Sequence, residues 1–302
     1  MERLNPLNDF AFKKLFGEEE LLISFLNAVL GLENENRIIS LQIIGNTQLT
    51  KNTINDKTGR LDILAETMNR TLINIEVQLN DQKNMEKRTL FYWGKLFLAG
   101  INKGEDYRVL RKVITINLLD FNYLKIPKFH SRFHLWEDEL RDYMLTDIIE
   151  IHFVELPKFR ELRHEHNKHN PLHRWLMYLQ QNIPEEQLEE LMEMDSLIKK
   201  AEERLDWLAH DAEFMERYNA EENAEHEFAN MMSTAQERGE ALGMEKGLKE
   251  GLKEGLKEGK IEMVREMIVN QIDIHTIAKI AKMTLMEVEN LVEELKNDGH
   301  IK

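Results

Sequence analysis

Apolar and polar positions alternate along this chain with two different periods, and the change of period divides it. After Asp9 the run FAFKKLFG predicts a short amphipathic helix, with Asp9 as N-cap and Gly17 as its stop. Residues 21–30 form a second, largely apolar helix ended by Gly31. The β-branched run RIISLQIIG at 37–45 predicts a strand, followed by a polar loop at 50–59. Strands are expected at 60–66 and 71–79, joined by a turn at 67–70. Helical spacing returns at 81–98, and KVITINLL at 112–119 reads as a strand buried on both faces. Further strand candidates lie at 132–135 and 148–156, and beyond Pro171 the segments 174–181, 184–208 and 212–232 read as helices. The expectation is an α/β core followed by a helical C-terminal region.

A tetrapeptide repeat follows. Gly239, Gly243, Gly247, Gly251, Gly255 and Gly259 recur every four residues, so on a helix successive glycines drift by roughly 40°. Each costs up to about 1 kcal/mol against alanine in a helix interior, so the segment is intrinsically weak. Two readings stand: a close helix–helix contact between protomers, and a solvated charged linker helped by pairs such as Glu245 with Lys249. Residues 262–296 read as two helices joined at Met283, with Thr284 and Glu287 as a capping box. This pair resembles a small helix-turn-helix. Lys279 and Lys282 are outnumbered by Glu287, Glu289, Glu293 and Glu294, which favours packing or dimerisation over reading DNA.

The 302 residues allow about two domains, and 42% hydrophobic with 31% charged residues places the chain among globular proteins. The longest apolar stretch, 21–32, is interrupted by Asn27 and is too short to span a bilayer; no secretory signal is recognisable. The absence of cysteine removes disulfides, thiolate zinc sites and cysteine nucleophiles, and suits a reducing cytoplasm. The net charge of −15 argues at first against a nucleic-acid partner. Residues 1–120, however, hold 16 basic and 16 acidic residues, so the whole excess belongs to the C-terminal part and leaves room for a basic cleft before it.

The candidate chemistry lies on the two central strands. In 71–79, Ile73, Ile75 and Val77 share one face and Asn74, Glu76 and Gln78 the other; in 60–66, Asp62 and Leu64 oppose Leu61, Ile63 and Ala65. A hairpin centred on Asn69 pairs positions summing to 138, which sets Asp62 across from Glu76. Two carboxylates that close repel unless a cation joins them or one stays protonated. Oxygen donors without nearby Cys or His favour Mg²⁺ or Mn²⁺, ions able to polarise a phosphodiester and activate water. The plain alternative is two solvent-facing carboxylates on a half-exposed hairpin. On the next helix Arg88, Tyr92 and Lys95 form one stripe, suited to phosphate oxygens or simply solvated. His164, His166, His169 and His173 match no familiar zinc spacing and sit in a polar, loop-like stretch. There is no G-x-S-x-G elbow and no phosphate-loop or dinucleotide signature.

NDFAFKKLFG, LDILAE, INIEVQ, the KR-x3-Y-x2-KL helix, Gly104 to Tyr107 and VITINLLDF occur in this order over residues 5 to 160. Together they resemble the recombination-promoting nuclease (Rpn) family, also described as transposases, of the PD-(D/E)XK nuclease superfamily. The glycine-tetrad tail is similar to that family's C-terminal end. The resemblance implies a restriction-endonuclease-like αβββαβ core and a Mg²⁺-dependent DNA endonuclease linked to recombination or mobile elements. By position it makes Asp62 and Glu76 the signature acids, puts Gln78 where the superfamily usually has lysine, and lets Asp9 complete the metal site with the Val77 carbonyl as a further ligand. With that lysine missing, Arg88 and Lys95 are the nearest cations in sequence, and water activation rests on the metal. The expected organisation is a nuclease-like domain at 1–160, a helical accessory region at 161–230, and a self-associating segment at 231–302 that makes a homodimer. The rival expectation is a catalytically degenerate nuclease fold that binds DNA or protein.

Overall fold

The computed structural model describes residues 3–44 and 62–297. The loop expected at 50–59, with Arg60 and Leu61 at the head of the next expected strand, lies outside those residues. Among the described residues six strands build one mixed sheet: β1 (Leu41–Ile43), β2 (Ile63–Thr67), β3 (Leu72–Gln78), β4 (Val113–Leu119), β5 (His130–Trp136) and β6 (Met144–Glu155), in the order β1-β2-β3-β4-β6-β5. β1, β2 and β3 pair antiparallel, β3, β4 and β6 pair parallel, and β5 returns antiparallel to β6. The parallel step from β3 to β4 requires a crossover, which the helix α3 (Met85–Leu98) supplies. β4 is buried at all seven positions because both faces of the sheet are covered there.

One face, bearing Ile73, Ile75, Val77, Ile114, Ile116 and Leu118, packs against helices drawn from both ends of the first 209 residues. These are α1 (Asp9–Leu15), α2 (Glu19–Leu30), α4 (Leu156–Glu161), α5 (Pro171–Tyr178), α6 (Glu185–Met194) and α7 (Ser196–Ala209). Trp175 of α5 stands between Phe16 and Phe25, with ring centroids 5.5 and 6.0 Å away, and its Nε1 donates to Ser24 Oγ at 3.1 Å. The helices beyond residue 161 therefore share the core of the N-terminal ones. On the other face α3 covers Leu64, Leu72 and Val113 with Tyr92 and Leu96.

Local chemistry explains where elements differ from expectation. Of the strand expected over 37–45, Gly45 lies outside the described residues, and the described part is a strand only at Leu41–Ile43; it starts late because Asn27 takes both backbone groups of Ile38: Ile38 N–H donates to Asn27 Oδ1 at 2.8 Å, and Asn27 Nδ2 donates to Ile38 O at 2.9 Å. A side chain thus replaces a neighbouring strand. Asn8, rather than Asp9, caps α1, its side chain accepting from Phe10 N and Ala11 N; Asp9 is the first helical residue. The helix expected from 81 begins at Met85, since Lys83 adopts a φ of 57°.

The chain divides into two compact units, residues 1–226 and 227–302. The helix α8 (Ala212–Val269) contains that division and all six tetrad glycines. A Cβ at any of those six would meet nothing within 4 Å, and Leu248, Leu252 and Leu256 are exposed. In the second unit α9 (Ile274–Ala281) and α10 (Leu285–Asn297) pack with the end of α8 through Val264, Ile277, Ala281, Val288 and Leu291. The segment expected as two helices is therefore three, broken at Gln271, whose φ is 59°. The capping box is in place: Glu287 N donates to Thr284 Oγ1 at 3.2 Å and Thr284 N donates to Glu287 Oε2 at 2.7 Å. Among the described residues no helix is long and apolar enough to cross a membrane.

The same substitution should act with opposite sign at two glycines. A Cβ at Gly17 would lie 2.8 Å from the Lys13 carbonyl oxygen, so Gly17→Ala should cost about 1–3 kcal/mol in urea denaturation. Gly94, inside α3 with nothing within 4 Å, should gain up to about 1 kcal/mol on replacement by alanine. Equal effects at both would contradict the close approach at the end of α1.

Candidate active site

β2 and β3 pair Ile63 with Ile75, Leu64 with Asn74 and Ala65 with Ile73, the register that sets residue 62 opposite residue 76. Asp62 immediately precedes β2, and its Oδ2 accepts from the Val77 main-chain N–H at 2.8 Å. That bond fixes one carboxylate oxygen against β3 beside Glu76. The Glu76 side chain is 1% exposed, and its Oε1 accepts from Asn74 Nδ2 at 3.3 Å. Burial first, and repulsion from Glu76 second, push the Asp62 carboxyl well above the usual range. Burial also raises Glu76, against the lowering influence of Arg88.

Two cations reach this pair. Lys13, from α1, lies 3.1 Å from Asp62 Oδ1 and 2.5 Å from Asp9 Oδ2. Burial opposes its charge, yet Asp62 and Asp9 outweigh burial and hold Lys13 above its ordinary value. Arg88, from α3, lies 3.3 Å from Glu76 Oε2, and its guanidinium stands 5.5 Å from the Tyr92 ring centre. A fourth acid approaches from α8: Glu221 Oε2 accepts from Phe10 N at 3.0 Å, and burial followed by the nearby Asp9 raises its pKa. Asp9 contributes to raising both Asp62 and Glu221.

The remaining sequence-predicted residues are placed as follows. Gln78 Nε2 donates to the Val77 carbonyl oxygen at 2.7 Å, so the amide holds the carbonyl named as a further ligand. The stripe on α3 is split: Arg88 meets Glu76, Tyr92 is buried against the sheet, and Lys95 is half-buried with no carboxylate partner among the described residues. Beneath the acids runs a buried polar layer formed by Asn74, Thr115 and Asn117, in which Thr89 Oγ1 donates to Asn117 Oδ1 at 2.5 Å. Asn74 Oδ1 and Thr115 Oγ1 have no hydrogen-bond partner there. Among the described residues no three His, Asp or Glu side chains form a ready-made metal cage. His166 stacks on Phe159 at 4.1 Å and His173 Nδ1 accepts from Asn167 N, which gives those two histidines structural roles.

Sequence reasoning did not single out Lys13 or Glu221. Both depend on how α1 and α8 pack, although Lys13 stands one turn beyond Asp9 on the same helix face.

The raised carboxyls have a stability consequence. A carboxyl whose folded pKa exceeds its unfolded value binds its proton more tightly when folded, so stability is fully present below the unfolded pKa near 4 and falls as pH rises through the folded value. In EDTA at pH 7–8, Asp62→Asn should therefore raise the melting temperature, and the gain should vanish below about pH 4. A lower melting temperature at neutral pH would contradict the unfavourable burial.

No curated protein and no solved structure matches the chain significantly. The sequence model of one family, described as PD-(D/E)XK nuclease family transposase, matches residues 6–235, which takes in α1, the whole sheet, the helices around it and the first part of α8. The match covers well over half of the chain, and the chain belongs to this PD-(D/E)XK nuclease family of transposases.

Proposed function

We propose that the protein is a divalent-metal-dependent DNA endonuclease that hydrolyses phosphodiester bonds, with Asp62 and Glu76 holding Mg²⁺ or Mn²⁺. The observation that carries this reading is the pair itself: two buried carboxylates set side by side by strand register, both raised by burial. The donors suit a hard cation, since carboxylate and carbonyl oxygens are supplied without sulfur or imidazole. A bound ion would lend Lewis acidity to the phosphodiester and make the attacking water more acidic.

The chain's own residues divide the remaining work. Asp62, anchored by Val77 N–H, and Glu76, anchored by Asn74 and Arg88, present oxygens in fixed directions. The Val77 carbonyl, oriented by the Gln78 amide, is a further donor, and Asp9, which pairs with Lys13, is the third acid assigned to the set although the three acids do not form a ready-made cage. Gln78 cannot take a proton, so it orients rather than acts as base. Lys13 supplies the ammonium missing from the strand: it pairs with Asp62 at 3.1 Å and would there be within reach of a phosphate oxygen held by the same acids. Arg88 and Lys95 are assigned to DNA phosphates, with Tyr92 as the surface on which Arg88 rests.

A second reading is favoured by the same ion pairs. Because Lys13 and Arg88 already neutralise the acids and Gln78 replaces lysine, the fold would also serve as a catalytically degenerate module that binds DNA or protein. Supercoiled plasmid decides between them. The wild type should nick or linearise it with Mg²⁺ or Mn²⁺ but not with EDTA, and Asp62→Ala and Glu76→Ala should each lose about 10²-fold or more. Lys13→Met should cut slowly with the metal requirement intact. An inert wild type, or variants that cut equally well, would establish the degenerate module.

We further propose that residues 231–302 join two copies. Leu248, Leu252 and Leu256 are exposed beside glycines that leave the backbone open to close approach, and two active sites suit two strands. Light scattering coupled to size exclusion should find a dimer for the full chain and a monomer for a triple Gly247→Val, Gly251→Val, Gly255→Val variant. A monomeric wild type would contradict the assembly.

A further inference from the structure

The second concentration of buried titratable groups lies on the other face of the sheet. In β6, Glu150 pairs with Ile114 and His152 with Ile116, on the face away from Glu76. In β5, Arg132 pairs with His152, and His130 lies two residues before it on the same face. Three of these groups are hydrogen-bonded in series. Glu150 Oε1 is 2.9 Å from His152 Nε2, and His152 Nδ1 is 2.8 Å from His130 Nε2. Lys112 Nζ, 2.7 Å from Glu150 Oε2, anchors the far end.

The direction of the chain follows from its acid. Although burial opposes it, hydrogen bonds from His152 and Lys112 hold Glu150 far below the usual carboxylate range, so it only accepts. His152 Nε2 then carries the proton and donates to Glu150. Burial keeps His152 neutral, so its Nδ1 accepts from His130 Nε2–H. His130 is left with Nδ1, which has no hydrogen-bond partner among the described residues, at the edge of a cleft of about 1240 Å³.

That cleft lies between β5, the end of α2 and the start of α5, within the first unit. It is lined by four cations, Arg37, Lys128, Arg132 and Arg174, against two carboxylates, Glu33 and Asp195. Arg174 is spent on Asp195 at 2.9 Å. Arg37, Lys128 and Arg132 have no ion-pair partner among the described residues. Two positive charges are thus uncompensated in a chain of net charge −15. Leu32 and Ile126 add apolar wall, and the volume exceeds the roughly 300–1,000 Å³ of ordinary ligand pockets.

We propose that this cleft binds a phosphomonoester, the group carried by a free nucleotide or by a phosphorylated strand end, with Arg37, Lys128 and Arg132 matching its charge and His130 Nδ1 meeting one of its oxygens. A monoester carries close to two negative charges at neutral pH, the charge the lining leaves open. Guanidinium groups match its oxygens in pairs. Without a ligand, His130 is held down to about 4 by burial, by His152 and by Arg132. A phosphate oxygen at Nδ1 reverses that balance: His130 takes up a proton there and keeps it in a hydrogen bond to the oxygen, and the imidazolium charge is supported through His152 by Glu150.

The proposal does not depend on the metal reading, and calorimetry in EDTA tests it on the full-length protein. The titrants are deoxyadenosine 5′-monophosphate, deoxyadenosine, and one oligonucleotide with and without a 5′-phosphate. Deoxyadenosine monophosphate should saturate where deoxyadenosine does not, and the 5′-phosphate should tighten the oligonucleotide at least tenfold; binding of the monoester should take up a proton when measured in buffers of different ionisation heat, and should weaken at least tenfold in Arg132→Gln and in His130→Gln. Lys103→Gln, on the surface away from the cleft, should bind as the wild type does. Binding of the mononucleotide identifies a nucleotide site, and binding of the phosphorylated oligonucleotide alone identifies a strand-end site. No saturable binding, equal binding of the phosphate-free partners, or affinity unchanged in both Arg132→Gln and the surface variant Arg37→Gln would overturn the proposal.

Discussion

Two carboxylates held together against their own repulsion are the constraint on which the rest of the site depends. Asp62 and Glu76 are adjacent because β2 and β3 pair in one register, and a slip by one residue would send Glu76 to the opposite face. Away from water their repulsion is screened poorly, so each requires a cation or a proton. Lys13 and Arg88 meet that requirement from two helices on different sides of the sheet. The hydrophobic core thereby positions the charges around the pair. α1 is set by Phe12 and Phe16 against Phe25, and Gly17 lets the chain pass close to the Lys13 carbonyl.

The sheet also separates two chemistries. Toward α3, strands β3 and β4 carry Asn74, Glu76, Thr115 and Asn117 among apolar neighbours. Toward α2 and α5, the same central strands are apolar, and polarity returns only in β6 and β5, with Glu150, His152 and His130. Strand alternation accounts for both: a single sheet presents different chemistry on its two faces without a change of backbone. The cost of burying these groups is met by bonds to neighbouring strands, as when Asn117 Nδ2 donates to the His152 carbonyl at 3.0 Å.

Much of this arrangement was legible before any coordinates. The alternation of Ile73, Ile75 and Val77 against Asn74, Glu76 and Gln78, with a turn at Asn69, was enough to place residue 62 opposite residue 76. The αβ order and the family followed from motifs in sequence order, and the match over residues 6–235 agrees. What stayed hidden was non-local. Asn27 ends a strand eleven residues away by bonding Ile38, and Lys13 reaches Asp62 only because α1 packs beside the sheet end. Glu221 meets Asp9 across some two hundred residues of chain. The Glu150–His152–His130 series joins two strands whose register no local pattern fixes. The α3 stripe was visible as a stripe, but its direction toward the sheet depended on tertiary packing.

The central claim is that the Asp62–Glu76 pair is one cation site, and the most direct measurement is a Mn²⁺ titration followed by electron paramagnetic resonance of the free ion. The account predicts one saturable Mn²⁺ per chain, displaced by Mg²⁺ and lost in both Asp62→Asn and Glu76→Gln. Absence of saturable binding at millimolar metal, or binding that survives both substitutions, would contradict it.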